Sequence, residues 1–210
     1  MELPVTHYEK TEFIETDTGN KISRRAVIFG SQNIILTGKT VIKKGCVIRG
    51  DLRRAGGTGM VSSSGGVTAA AAASSVVIAI GRYCMLGENT VIRPPCKTYK
   101  NVFSYYPMKI GDHVSIGDGS IVEAAGIGSH VTIGKGCVIG RLAVIKDCVR
   151  IEDGTVIAPN TVVPSFSIFA GNPGRCIAEL PECAQELIEA RTKDEYTKFV
   201  PSPPQKLSTV

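Results

Sequence analysis

Two carboxylates, Asp118 and Glu123, lie in the stretch IGDGSIVEAAGIG, residues 116–128. Carboxylates held close together suit acid–base work or metal ligation, so the stretch is either a reactive pocket or the remnant of one. Of the histidines, His7 is near the N-terminus, while His113 and His130 sit at equivalent places in a repeat, each three residues after a recurring aliphatic. They are the only repeat-borne candidates for a general base, and as a stacked pair they offer too few ligands for a good metal site. IRGD, residues 48–51, places Arg49 and Asp51 on either side of Gly50. No GxSxG, P-loop or GxGxxG stands in the context its chemistry requires, so hydrolase and nucleotide readings lack a motif.

What must position these residues is a six-residue beat. It runs Ile80, Leu86, Ile92 and, past a loop, Ile110, Ile116, Val122, Ile127, Ile133, Ile139, Ile145, Ile151, Ile157 and Val163, with a single shortened step between Val122 and Ile127. An earlier run reads Phe29, Ile35, Val41 and Val47. Glycine often follows the beat residue, where the backbone turns, and the fourth position after it is small or β-branched, as at Cys84, Thr90, Ser120 and Cys137. This period matches neither a helix nor an alternating strand. It fits a short strand plus a turn, three such units closing a triangular coil that stacks on its neighbours as parallel strands. Roughly five to six coils make a prism on the order of 30 Å tall. The expected organisation is a leader over residues 1–28, an all-β solenoid of hexapeptide repeats over 29–170, a helical region over 171–200 and a tail over 201–210.

Residues just before the beat point outward. One face carries Ser115, Thr132 and Arg150; the next carries Ile121, Val138 and Val156; the third carries Val144 and Val162 with Val91 below. Two apolar stripes need covering. A helix over residues 181–199, with Leu180, Ala184, Leu187 and Ile188 on one side, is expected to cover one. The other is left to a partner protein, or to the leader or the loop at 97–109. Residues 53–77, rich in Gly, Ala and Ser, read as an insertion between coils. Residues 93–109 read as a loop replacing a whole coil, since Ile92 and Ile110 are 18 apart. Its aromatics, including Tyr105 and Tyr106, pack on the prism or anchor a partner.

A formal charge of +5 without a run of like charges argues against nucleic acid or an anionic membrane as main partner. No apolar run is long enough to cross a membrane and no secretory leader is evident, so the chain reads as cytosolic. Seven cysteines without CxxC spacing read as small reduced core residues.

Hexapeptide repeats, IRGD and the shortened step after IGDGSIV resemble the γ-class carbonic anhydrase superfamily, and with it the left-handed parallel β-helix, here with a C-terminal α-helix packed along it. The zinc-ligand positions of that superfamily fall on Arg93, Asp118 and Glu123, none of them histidine. A cation at one of them would repel zinc, so the resemblance implies no bound metal. It also suggests Arg93 as a charge replacing the metal between the two carboxylates, against the alternative of three solvated charges on separate turns. The stretches ETDTGNKISRRAVIFGSQNIILTGKTVIKKGCVIRGDL, VIRPP, YPMKIGDHV and ELPECAQELI are similar to the dynactin subunit 5 family. That resemblance implies a non-enzymatic, cofactor-free scaffold of the dynactin pointed-end complex, cytoplasmic and cytoskeleton-associated. It would pair with dynactin subunit 6, dock on other pointed-end subunits including an actin-related protein, and support dynein-driven transport and endosome attachment. The rivals are a hexapeptide acyltransferase using His113 or His130 as base, and a metalloenzyme using Asp118 and Glu123.

Overall fold

The computed structural model describes residues 4–53 and 76–202. Most of the insertion expected at 53–77 and of the tail expected at 201–210 lies outside them. The chain winds as a left-handed parallel β-helix with one C-terminal helix. Its three faces are a nine-stranded sheet and two six-stranded sheets. Each coil contributes a short strand to every face and pairs with the coil before and after it. Ile110, for example, stands between Ile80 and Ile127.

The beat residues fill the axis. Ile80, Leu86, Ile92, Ile116, Ile133, Ile139 and Ile145 are almost completely buried. At about 1.5–3 kcal/mol for each such side chain, this column is the main source of stability. Position four after the beat also points inward: it is Val or Ala at Val114, Val131, Ala143 and Val149, and where it carries a polar hydrogen that hydrogen goes to a turn carbonyl. Ser120 Oγ donates to Gly134 O at 2.8 Å, and Cys46 Sγ and Cys137 Sγ to Gly87 O and Glu152 O at 2.9 and 3.1 Å. A small polar residue is tolerated at this buried place because its single donor finds a turn carbonyl. Burial pushes the Cys46 thiol up to about 11 and that of Cys84 to about 12. All seven cysteines are unpaired, but the expectation that they are core residues holds only for Cys46, Cys84, Cys137 and Cys148: Cys96 is half-buried, and Cys176 and Cys183, which lie outside the repeat, are exposed.

The early register differs from the one the sequence suggests. Ile28, Leu36, Ile42 and Ile48 align with the buried positions of later coils, whereas Phe29, Ile35, Val41 and Val47 point outward. Two extra residues between Ile28 and Leu36 form a bend at Ser31–Asn33, and a one-residue slip sends every side chain to the opposite face. The solenoid already begins at Lys21–Ser23, which pairs with Val41–Ile42, inside the segment expected as leader.

The loop after Ile92 is also different. It does not replace a coil. Cys96–Tyr99 and Val102–Tyr105 form an antiparallel hairpin at one corner, after which the chain rejoins the next face at Met108–Ile110. Val91 therefore pairs with Val47 and Ile121, not with the Val144–Val162 column.

The helix, Ala184–Lys198, descends along the corner of the polar face and covers neither apolar stripe. It is rich in strong helix formers and carries the i,i+4 pairs Glu189–Lys193, Arg191–Glu195 and Asp194–Lys198. Of the expected apolar side, Ala184 is buried but Leu187 is 64% exposed. Beyond it, Phe199–Pro201 pairs in parallel with Thr6–Tyr8, and Tyr8, Phe13 and Phe199 close over Val41 and Met85 at the lower end of the same face.

Candidate functional site

The shortened step brings Glu123 to a corner where two guanidinium groups meet it. Its side chain is only 12% exposed, with Arg93 paired to Oε1 and Arg141 Nε donating to Oε2 at 3.0 Å. Arg93 follows the beat residue Ile92 of the coil below, and Arg141 stands one residue past the turn glycine of the coil above. The three thus form a vertical clasp across successive coils. Both carboxylate oxygens are occupied and the net local charge is positive, so the corner does not fit a metal cation.

Asp118 is not part of this clasp. It lies at the previous corner, where Oδ1 accepts the Glu88 N–H at 2.8 Å and Oδ2 pairs with Lys135 at 3.1 Å. Burial would raise its pKa, but the Glu88 N–H and Lys135 outweigh it and hold the carboxyl below its ordinary value. Asp112, Asp147 and Asp153 do the same on other turns, accepting from the N–H groups of Arg82, Ser129 and Lys135 at 2.6–2.7 Å. These aspartates share one place in the repeat, two residues after the beat, a signal available in the sequence. Asp118 is a turn fastener. The idea of Arg93 bridging both carboxylates is corrected: it meets Glu123 alone. IRGD is likewise self-contained, with Arg49 gripping Asp51 through two bonds of 2.7 Å while its guanidinium lies over Phe29.

His113 and His130 stack as their places in the repeat imply, with ring centroids 5.2 Å apart and planes 8° from parallel. Tyr83 continues the ladder below at the same spacing. All three residues have φ near +55°, the left-handed conformation this corner demands, which histidine tolerates better than bulky apolar residues. The helix supplies what the sequence did not indicate. Thr192 Oγ1 lies 2.7 Å from His113 Nδ1, Glu189 faces His130, and Tyr196 meets Tyr83 edge-on. Burial, then the proximity of His130, lowers the His113 pKa. Both rings are directed to the helix rather than to an open cleft, an arrangement ill suited to a general base for substrate.

Among the described residues, the outward side chains of one face give the most extended apolar surface. Val27, Val47, Val91, Ile121, Val138 and Val156 form one unbroken aliphatic column on consecutive coils. Val27, Ile121 and Val138 are 45%, 37% and 38% exposed, and Phe29 extends the base of the column. The neighbouring face is less uniform. Ile35, Val144 and Val162 share it with Lys109 and Gly126. On the hairpin, Tyr105 and Tyr106 are half-buried, Tyr105 edge-on to Phe103, while Val102 and Phe103 are the exposed apolar groups.

A family model described as dynactin subunit 5 matches residues 1–204. The chain is 38% identical over 204 residues to dynactin subunit 5 of Dictyostelium discoideum, covering 97% of this chain and 91% of that protein. Among solved structures, it is similar to AntD, an N-acyltransferase from Bacillus cereus, studied as a mutant with dTDP and coenzyme A. The TM-score is 0.59 with 16% identity over 83% of this chain and 88% of that one. A hexapeptide transferase family protein from Anaplasma phagocytophilum gives 0.52 with 19% identity over 87% and 92%. At these identities the transferases share the fold alone.

Proposed function

The chain belongs to the dynactin subunit 5 family, and we propose that its work within dynactin is that of a docking block whose aliphatic column seats a neighbouring subunit. It is a non-enzymatic scaffold of the dynactin complex, cytoplasmic and associated with the cytoskeleton. The observation carrying the docking reading is the column from Val27 to Val156, continuous over six strands and left bare by the helix, which lies on the polar face. Six strands at about 4.8 Å spacing give a stripe roughly 25 Å long, the scale of one side of a standard protein interface. Aliphatic side chains on rigid strands lose little conformational entropy on docking.

The partner we assign to this column is dynactin subunit 6, side by side in a heterodimer. The face carrying Val144 and Val162, together with the hairpin bearing Tyr105 and Tyr106, is assigned to other pointed-end subunits, including the actin-related protein. Dynein-driven transport and endosome attachment follow from that placement. Co-purification tests it. The tagged full-length chain should recover dynactin subunit 6 and the rest of dynactin from cell extract, and Val138→Asp should lose subunit 6 while remaining folded. Undiminished recovery with Val138→Asp would remove the column from the interface.

A further inference from the structure

We propose that His113, His130 and Glu189 form a zinc site that fastens the C-terminal helix to the solenoid. One ligand atom from each lies within 4.8 Å of the others. Their alignment follows from a match of pitches. A helix rises about 5.4 Å per turn and coils repeat at about 4.8 Å, so one helical turn meets one coil. Glu189 thereby stands opposite His130, Thr192 opposite His113 and Tyr196 opposite Tyr83.

Local hydrogen bonds prepare the ligands. Thr192 Oγ1 donates its single hydrogen to a carbonyl of the preceding turn, Ile188 O at 3.0 Å or Glu189 O at 3.1 Å. With that hydrogen so used, Oγ1 accepts from His113 Nδ1–H at 2.7 Å, an arrangement that leaves the Nε2 lone pair free to ligate a metal. Glu189 holds Lys193 with Oε1 and turns Oε2 toward His130 Nε2. That gap of 3.9 Å is too long for a hydrogen bond and close to the separation of two ligands on one cation. Around a tetrahedral zinc, ligands about 2.0–2.1 Å from the ion stand roughly 3.4 Å apart. Seating it takes a closure of the triangle by about 1.4 Å together with a tilt of the two stacked imidazoles, whose near-parallel ring planes must turn for their in-plane lone pairs to converge on the ion. Two imidazoles and one carboxylate suit zinc, with water at the fourth position. All three groups are half-buried, so the ion has a path of entry. This site is separate from the corner of Arg93, Glu123 and Arg141, where two cations repel a metal.

The metal-free full-length chain, kept reduced, should bind one Zn²⁺ in calorimetric titration, with an upward shift of its thermal midpoint. Cobalt should give the spectrum of nitrogen and oxygen ligation without thiolate charge transfer. His130→Ala and Glu189→Gln should each weaken Zn²⁺ binding by about 10-fold or more while retaining the circular dichroism of the parent. A parent without saturable one-to-one binding overturns the site. So does binding that persists in both variants, or cobalt spectra dominated by thiolate, which would place the ion on cysteines.

Discussion

At the scale of single residues, the carboxylates that look catalytic in sequence are separated by their partners. Glu123 satisfies two arginines, so its loss leaves both without their anion, whereas losing Arg93 leaves Arg141 in place. Glu123→Ala is expected to lower stability by about 1–2 kcal/mol and Arg93→Ala by less than about 1 kcal/mol, compared by urea midpoints. A larger loss from Arg93→Ala would contradict this ranking. Asp118 sets a pH dependence. Its folded pKa is lower than the unfolded value near 3.9, so its contribution is complete above about pH 4 and disappears as pH falls through the folded value. Asp118→Asn should cost at most about 1 kcal/mol near neutrality, because the group is partly exposed. The two proteins should converge in acid. Thermal midpoints followed from neutral pH into acid would show it.

At the scale of the element, one hexapeptide contains two glycines required for different reasons. A Cβ on Gly117 would lie 2.5 Å from the Gly134 carbonyl carbon of the next coil, while Gly119 has open space but φ of +69°. Gly117→Ala should therefore cost about 1–3 kcal/mol or more through displaced backbone. Gly119→Ala should cost about 1–2 kcal/mol, and Gly119→Asn less, since asparagine tolerates the left-handed region. Denaturant titration of the three variants gives the order, and a neutral Gly117→Ala would disprove the steric account. The helix illustrates the opposite dependence. It buries Ala184 and Thr192, packs Tyr196 against the Tyr8 and Phe199 cluster and edge-on to Tyr83, and meets His113 and His130 through Thr192 and Glu189, so its position depends on matching spacings more than on an apolar stripe.

For the whole molecule, the described residues place the helix on the polar face and the hairpin at a corner, away from the longest aliphatic column. Ile121→Asp should leave the thermal midpoint within about 0.5 kcal/mol equivalent of the parent, as for other outward positions. It should reduce capture of dynactin subunit 6 by at least about 10-fold, comparable to losing a central anchor. A quantitative pull-down beside a melting curve separates a binding defect from a folding one.

The period of aliphatic residues determined the solenoid by itself, because burial along a coil depends only on nearest neighbours and each hexapeptide states its own in–out pattern. The stacked histidines and the small inward cysteines were legible for the same reason. Three things were decided by tertiary structure. The hairpin after Ile92 adds a multiple of the repeat, so counting could not distinguish it from a full coil, and Val91 was placed on the wrong face. The bend at Ser31–Asn33 adds two residues and shifts the early register from Phe29, Ile35 and Val47 to Ile28, Leu36 and Ile48. The helix chose the polar corner over an apolar face because its partners there are a ladder of rings from distant coils. The repeat announces the ladder, but nothing in the helix's own sequence marks Glu189, Thr192 and Tyr196 as its partners, since that match exists only once helix and coils lie side by side.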